Sequence, residues 1–251
     1  MNIFDSHLHL QNSKSLKLSF ETMFKECQSV GVSGGLVIKM PQDQWDFRDV
    51  SAVISEKGEF KLVVCPDLTL SAKQISREVD NIKASGAIAL KIHPRIQGIN
   101  LESKVLHRAL RAADENSLSV VICSFDDGSW GRLGLEPRQF LDLADFFPKI
   151  KFLWAHAGGH RVIDFMFMAR RTENVFLDTS FTQTYFFKGR VLDDLNYATE
   201  SLPSRFLFGT DFEKIDYQNT VSLLTDFFLK ENTDRYDLFE GNFRRFVSDY
   251  E

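Results

Sequence analysis

Short apolar, β-branched runs alternate along the whole chain with segments whose apolar residues recur at helical spacing. Residues 1–10 (MNIFDSHLHL) read as the first strand. Residues 33–39 (SGGLVIK), 61–67 (KLVVCPD), 86–94 (GAIALKIHP), 118–124 (LSVVICS), 151–157 (KFLWAHA), 174–180 (NVFLDTS) and 205–211 (RFLFGTD) read as seven more. Between them, 19–30 carries Phe20, Met23, Phe24 and Cys27 on one side, with Gly31 as a stop signal. A less regular stretch at 42–56 holds a second helix, and 71–85 opens on a Ser71-x-x-Gln74 capping box. Further helices are expected over 101–116, over 136–147 (Phe140, Leu141, Leu143, Ala144), from Gly158-Gly159 to about residue 171, and over 191–201, 217–230 and 233–246. Eight strands alternating with helices predict an α/β protein, a (β/α)8 TIM barrel built as a single domain over 1–251. A doubly wound open sheet competes, but the first strand–helix junction lacks a Gly-x-Gly-x-x-Gly fingerprint and no Walker-type loop is present.

Chemically capable residues fall at the carboxyl ends of these strands: His7 and His9 on the first, Lys91 and His93 on the fourth, and Cys123 on the fifth. His156, Asp178 and Asp211 follow on the sixth, seventh and eighth. That end of a TIM barrel carries the active site, so one pocket is expected to collect them. A period of two puts Asp5, His7 and His9 on one face of the first strand, and two imidazoles spaced i, i+2 can grip one metal ion. By the same alternation, His156 facing inward takes Trp154 and Phe152 inward with it, and Asp211 takes Gly209 and Leu207.

Composition narrows the function class. A net charge of −5 and a pI near 5.7, without a Lys/Arg run, argue against a nucleic-acid binder. No window approaches 18 uninterrupted apolar residues, and the N-terminus carries Asp5 and two histidines where a signal peptide would be hydrophobic. The expectation is a cytoplasmic protein without membrane association. Cys27, Cys65 and Cys123 are odd in number and irregularly spaced, which indicates no disulfide framework.

The motifs DSHLH, ALKIHPRIQG, FLWAHAGG, FLDTS and LFGTDF together resemble the amidohydrolase superfamily of metal-dependent barrel enzymes. The similarity is to the amidohydrolase-related branch (amidohydrolase 2) that includes amino-carboxymuconate-semialdehyde decarboxylase and pyrone-dicarboxylate lactonase. The resemblance implies metal ligation by His7 and His9, a metal-proximal Asp211 that also moves protons, and His156 as a second ligand or transition-state stabiliser. It also marks a departure. Members usually place a histidine at the end of strand five, where this chain has Cys123, either a thiolate ligand or a small buried hydrophobe. The strand-four lysine of binuclear members is carboxylated, although for Lys91 a salt bridge or a contact to an anionic substrate is the preferred reading.

His93 reads as a ligand, a substrate contact or an orienting group, and Asp178 as a carboxylate that holds a histidine tautomer. His160 and Arg161, after Gly158-Gly159 and near a helix start, are candidates for a substrate carboxylate or for a solvated turn. His107, beside Arg108 and Arg111, reads as surface. The expected cofactor is a divalent cation, zinc with manganese as the alternative, and the expected activity is hydrolysis of an amide, ester or lactone in a small anionic substrate. A non-oxidative decarboxylase and a barrel that only binds its ligand are the competing readings. The loops 125–137 (Asp126, Asp127, Trp130) and 182–190 (Tyr185, Phe186, Phe187) either set specificity or form a subunit interface, and a homodimer is the partner expectation.

Overall fold

The computed structural model describes residues 2–12, 14–57, 59–212, 216–230 and 234–248. Eight strands form one parallel sheet in sequential order, each followed by helix: β1 (Ile3–His9), α1 (Leu16–Ser29), β2 (Val32–Lys39), α2 (Phe47–Ser55), β3 (Phe60–Val64), α3 (Ala72–Ala84), β4 (Ala89–Ile92), α4 (Pro94–Gln97), α5 (Lys104–Glu115) and β5 (Ser119–Cys123). They continue as α6 (Trp130–Leu133), α7 (Pro137–Phe146), β6 (Phe152–Ala155), α8 (Val162–Ala169), β7 (Val175–Asp178), α9 (Thr182–Tyr185), α10 (Arg190–Ser201), β8 (Phe206–Leu207), α11 (Tyr217–Leu229) and α12 (Asn242–Val247). The seam between β8 and β1 is closed by Ser6 N donating to Phe208 O (2.9 Å), Asp211 N to His7 O (3.0 Å) and His9 N to Phe212 O (2.8 Å). The expected (β/α)8 barrel is therefore the observed architecture. At α3 the capping box forms as read, with Ser71 N donating to Gln74 Oε1 at 3.2 Å. Residues 1 and 233 of the expected first strand and last helix lie outside the described residues, and no helix among those described is long and apolar enough to cross a membrane.

Two apolar layers hold the barrel. Side chains facing the helices form the larger one, and Phe4, Leu36, Val63, Val121, Leu153, Phe176 and Leu207 fill the interior, where Phe243, Phe246 and Val247 of α12 join them. Phe4 lies at the amino end of β1 and stacks on Phe243 with ring centroids 4.6 Å apart, so α12 plugs the end of the barrel opposite the strand tips. The interior is thus solid below and free to carry a site only above.

Two register expectations are corrected. In β6 the interior takes Leu153 and Ala155, while Phe152 and Trp154 pack outward; Trp154 meets Phe165 edge-on at 5.5 Å and Phe140 at 6.2 Å. His156 lies beyond the strand with φ 69°, which breaks the alternation from which Trp154 was read as inward. In β1 the pairing with β2 shifts between Asp5 and Leu8. This bulge turns the Asp5 carboxylate away from the His7 and His9 rings, to accept from the His7 backbone N–H (3.0 Å) and from the hydroxyls of Thr210 and Tyr217. Gly35 makes room for it, because a Cβ there would collide with the Asp5 carbonyl.

Trp154 is fully buried between β6 and two helices. Trp154→Ala is expected to cost about 3–5 kcal/mol of unfolding free energy, measured by urea titration, since the rings of Phe140 and Phe165 cannot close the cavity. A loss under about 1 kcal/mol would contradict this packing.

Candidate metal centre

The strand tips surround a cavity of about 770 Å³, a volume that includes its solvent-open mouth. Its lining includes His7, His9, Lys91, His93, Arg95, Cys123, Phe125, His156, Phe181 and Asp211. The fold thus brings together the strand-end residues read from the sequence, with Asp178 packed directly behind them. Their placement rests on strained backbone: His156 and Asp211 both have φ 69°, and Phe181 has φ 57°. The turn through His156 needs Gly158, where φ is 80° and a Cβ would strike the Phe165 ring.

His7 Nε2 and His9 Nε2 lie 3.5 and 3.3 Å from the same oxygen of Asp211. Neighbouring ligands of one tetrahedral ion bound at ~2.0–2.2 Å stand roughly 3.4 Å apart, so two nitrogens and an oxygen here have the spacing of a shared cation. Behind them, His7 Nδ1 is 3.2 Å from Asp178 Oδ2, a contact that orients the ring. A second convergent group, His7, His156 and Asp178, is filled differently, since Ser180 Oγ already hydrogen-bonds to all three residues. Cys123 lines the cavity but belongs to neither group.

Burial shapes the charges. It would raise the Asp211 carboxyl, but the His9 hydrogen bond and the charges of His7 and His9 outweigh it, so Asp211 stays well below the usual carboxylate range. Burial, then the charge of His7, pushes His156 down to about 3, which keeps it neutral. Burial lowers the Lys91 ammonium against the opposing pull of Cys123, Asp178 and Asp211. It raises the Cys123 thiol, with Lys91 opposing, so a metal-free Cys123 is a neutral thiol. Lys91 Nζ sits 3.3 Å from His7 Nε2.

His93 lines the cavity and caps α4, its Nδ1 accepting from Ile96 N at 3.4 Å; burial, then Lys91, lowers its pKa to about 2. Between pH 6.5 and 2 the unfolded chain therefore takes up a proton that the folded chain refuses, and stability falls as pH falls. His156 adds a contribution of the same sign. Asp5, raised by burial to about 7, has the opposite sign, losing stability as pH rises from about 4. In metal-free protein, His93→Gln is expected to remove up to ~1.4 kcal/mol per pH unit of the acid-side slope in urea titrations between pH 6 and 4. An unchanged slope would contradict a neutral His93.

His160 and Arg161 do not join the cavity as candidates for a substrate carboxylate, and His107 departs from its surface reading. His160 is exposed and lies outside the cavity lining, and Arg161 also lies outside it, 3.5 Å from Asp126 Oδ2 and over the Trp130 ring. The left-handed turn through Ala157 and Gly158 carries both past the mouth. His107 is half-buried rather than on the surface, its Nε2 3.1 Å from Leu101 O and its ring against Phe146 and Phe147. Conversely, sequence reading missed Arg95, Phe181 and Ser180. Arg95 reaches the cavity and pairs with Asp127. Phe181 packs on Phe125 at 4.9 Å beside His156. Arg95 and Ser180 had a sequence signal, since they stand two residues beyond His93 in ALKIHPRIQG and beyond Asp178 in FLDTS.

A family model described as Amidohydrolase matches residues 19–248. No curated protein matches the sequence. An uncharacterised TIM-barrel protein from Bordetella bronchiseptica superimposes with a TM-score of 0.82 at 16% identity, over 100% of this chain and 99% of its own. A probable 2-pyrone-4,6-dicarboxylic acid hydrolase from Acinetobacter baumannii, solved with citric acid, gives 0.69 at 12% identity over 99% and 100%. The 5-carboxyvanillate decarboxylase of Novosphingobium aromaticivorans, complexed with manganese and a nitrobenzoic acid, gives 0.66 at 11% over 98% and 95%. At these identities the likeness is one of fold.

Proposed function

The chain belongs to the amidohydrolase family, and from that premise we propose that it is a metal-dependent hydrolase that cleaves an amide, ester or lactone bond of a small anionic molecule. The observation that carries this reading is the convergence of His7 Nε2 and His9 Nε2 on one Asp211 oxygen at the mouth of the barrel. His7, His9 and Asp211 would hold the cation, zinc or manganese, with His156 beside them. A divalent cation bound there supplies Lewis acidity and makes water a nucleophile near neutral pH.

The chain's own groups do the rest. Asp211, anionic at neutral pH, takes the proton of the attacking water and returns it to the leaving group. Lys91 Nζ, beside His7, is placed to steady the developing oxyanion. Arg95 lines the cavity and offers a planar fork to a substrate carboxylate in exchange for Asp127. Phe125 and Phe181 form an apolar wall against which the uncharged part of the substrate packs and which keeps bulk water from His156.

The reading is tested by assaying metal-loaded protein against a panel of lactones, esters, amides and carboxylated dienes. Acid release that stops on chelation and returns with zinc or manganese is expected. Release of carbon dioxide instead would assign a decarboxylase on the same scaffold, and no turnover with no retained metal would assign a binding barrel.

A further inference from the structure

Ser180 is fully buried beyond the end of β7, and its hydroxyl touches three groups at once: a carboxylate oxygen of Asp178, His156 Nδ1 at 2.9 Å and His7 Nδ1 at 3.1 Å. A hydroxyl has one proton and two lone pairs, so it donates in one of these contacts and accepts in the other two. The ionised carboxylate can only accept. The same Asp178 oxygen also accepts from the backbone N–H groups of His156 (2.8 Å) and Ser180 (3.0 Å). The hydroxyl proton therefore points to Asp178, and its lone pairs take an N–H from each imidazole.

Independent contacts give both rings the same assignment. His156 Nδ1 also lies 3.1 Å from the Ser180 carbonyl oxygen, which has no proton to give. His7 Nδ1 lies 3.2 Å from Asp178 Oδ2. On the other side of that ring, His7 Nε2 lies 3.3 Å from Lys91 Nζ and 3.5 Å from Asp211 Oδ1, so it is the Nδ1 side that the contacts decide. We propose that Ser180 is a positioning residue: one hydroxyl, donating to Asp178, holds His7 and His156 together with a proton on each Nδ1, so that Nε2 is the nitrogen each ring keeps for a ligand. The shared hydroxyl also couples the rings, because turning it away from Asp178 would remove an acceptor from one imidazole.

Long-range ¹H–¹⁵N correlation on metal-free, [¹⁵N]histidine-labelled protein tests this, with signals assigned through single His→Gln variants. His7 and His156 are both expected to show a protonated Nδ1. In Ser180→Ala, His156 is expected to gain a fraction of the Nε2–H tautomer, and zinc affinity by competition titration to fall about 10–100-fold. An unprotonated Nδ1 at either ring of the wild-type protein overturns the proposal without needing any variant to fold. So does a Ser180→Ala protein whose melting temperature drops while its histidine signals and zinc affinity stay as in wild type. Only the affinity arm depends on the proposed metal site: a fixed tautomer pair with no zinc binding in wild type would remove that site and leave Ser180's role standing.

Discussion

Asp211→Asn is expected to lower kcat/KM by about 10²–10⁴-fold while leaving the fold intact. One oxygen of this carboxylate lies within 3.5 Å of both His7 and His9, and it is the group assigned to carry the proton from water to leaving group. Asparagine fills the same volume but cannot take that proton and is a poorer metal ligand. It also tolerates the left-handed backbone at φ 69° better than most residues, so the bond from residue 211 N to His7 O survives. Steady-state kinetics with the best substrate, beside a thermal melt of each protein, checks the claim. A kcat/KM within about threefold of wild type would remove Asp211 from the chemistry.

The double substitution His7→Ala, His9→Ala is expected to take metal content from about one equivalent to less than about a tenth, measured by elemental analysis of protein purified without added metal. Two of the three convergent donors disappear, and a lone carboxylate at a partly open mouth holds zinc or manganese poorly. The fold should persist, because the barrel interior is filled below the site by Phe4, Phe243 and their neighbours. Losing His7 leaves Asp178 Oδ2 without its ring and takes one of two rings from Ser180 Oγ, at a cost of about 1–3 kcal/mol. Unchanged metal content would place the cation elsewhere, and Cys123 would then be the first residue to replace.

The barrel was legible because its strands are apolar runs buried on both faces and its helices repeat their apolar residues every three to four positions. The tips were legible too, since His7, His9, Lys91, Cys123, His156 and Asp211 interrupt those runs at their carboxyl ends. Local pattern failed where the backbone leaves regular geometry. A period of two put the Asp5 carboxylate beside the His7 ring, but the β1 bulge turns it to the His7 backbone instead, and the cause lies in pairing with Gly35 on another strand. The same rule put Trp154 inside, yet the turn at His156 resets the direction of side chains. His160 and Arg161 look like site residues by their nearness to His156 in sequence, while Arg95 comes to the cavity on the short helix α4 and Phe181 on the turn after β7, which the strand periodicity does not encode. Ser180 shows the remaining gap: its value lies in three contacts made across β1, β6 and β7, which exist only after folding.

Crystals soaked with zinc or manganese and measured on either side of the absorption edge test the central claim most directly. One anomalous peak is predicted, within ~2.0–2.2 Å of His7 Nε2, His9 Nε2 and a carboxylate oxygen of Asp211. A cavity with no peak, or a peak bound by other residues while these three donors stay apart, would contradict it.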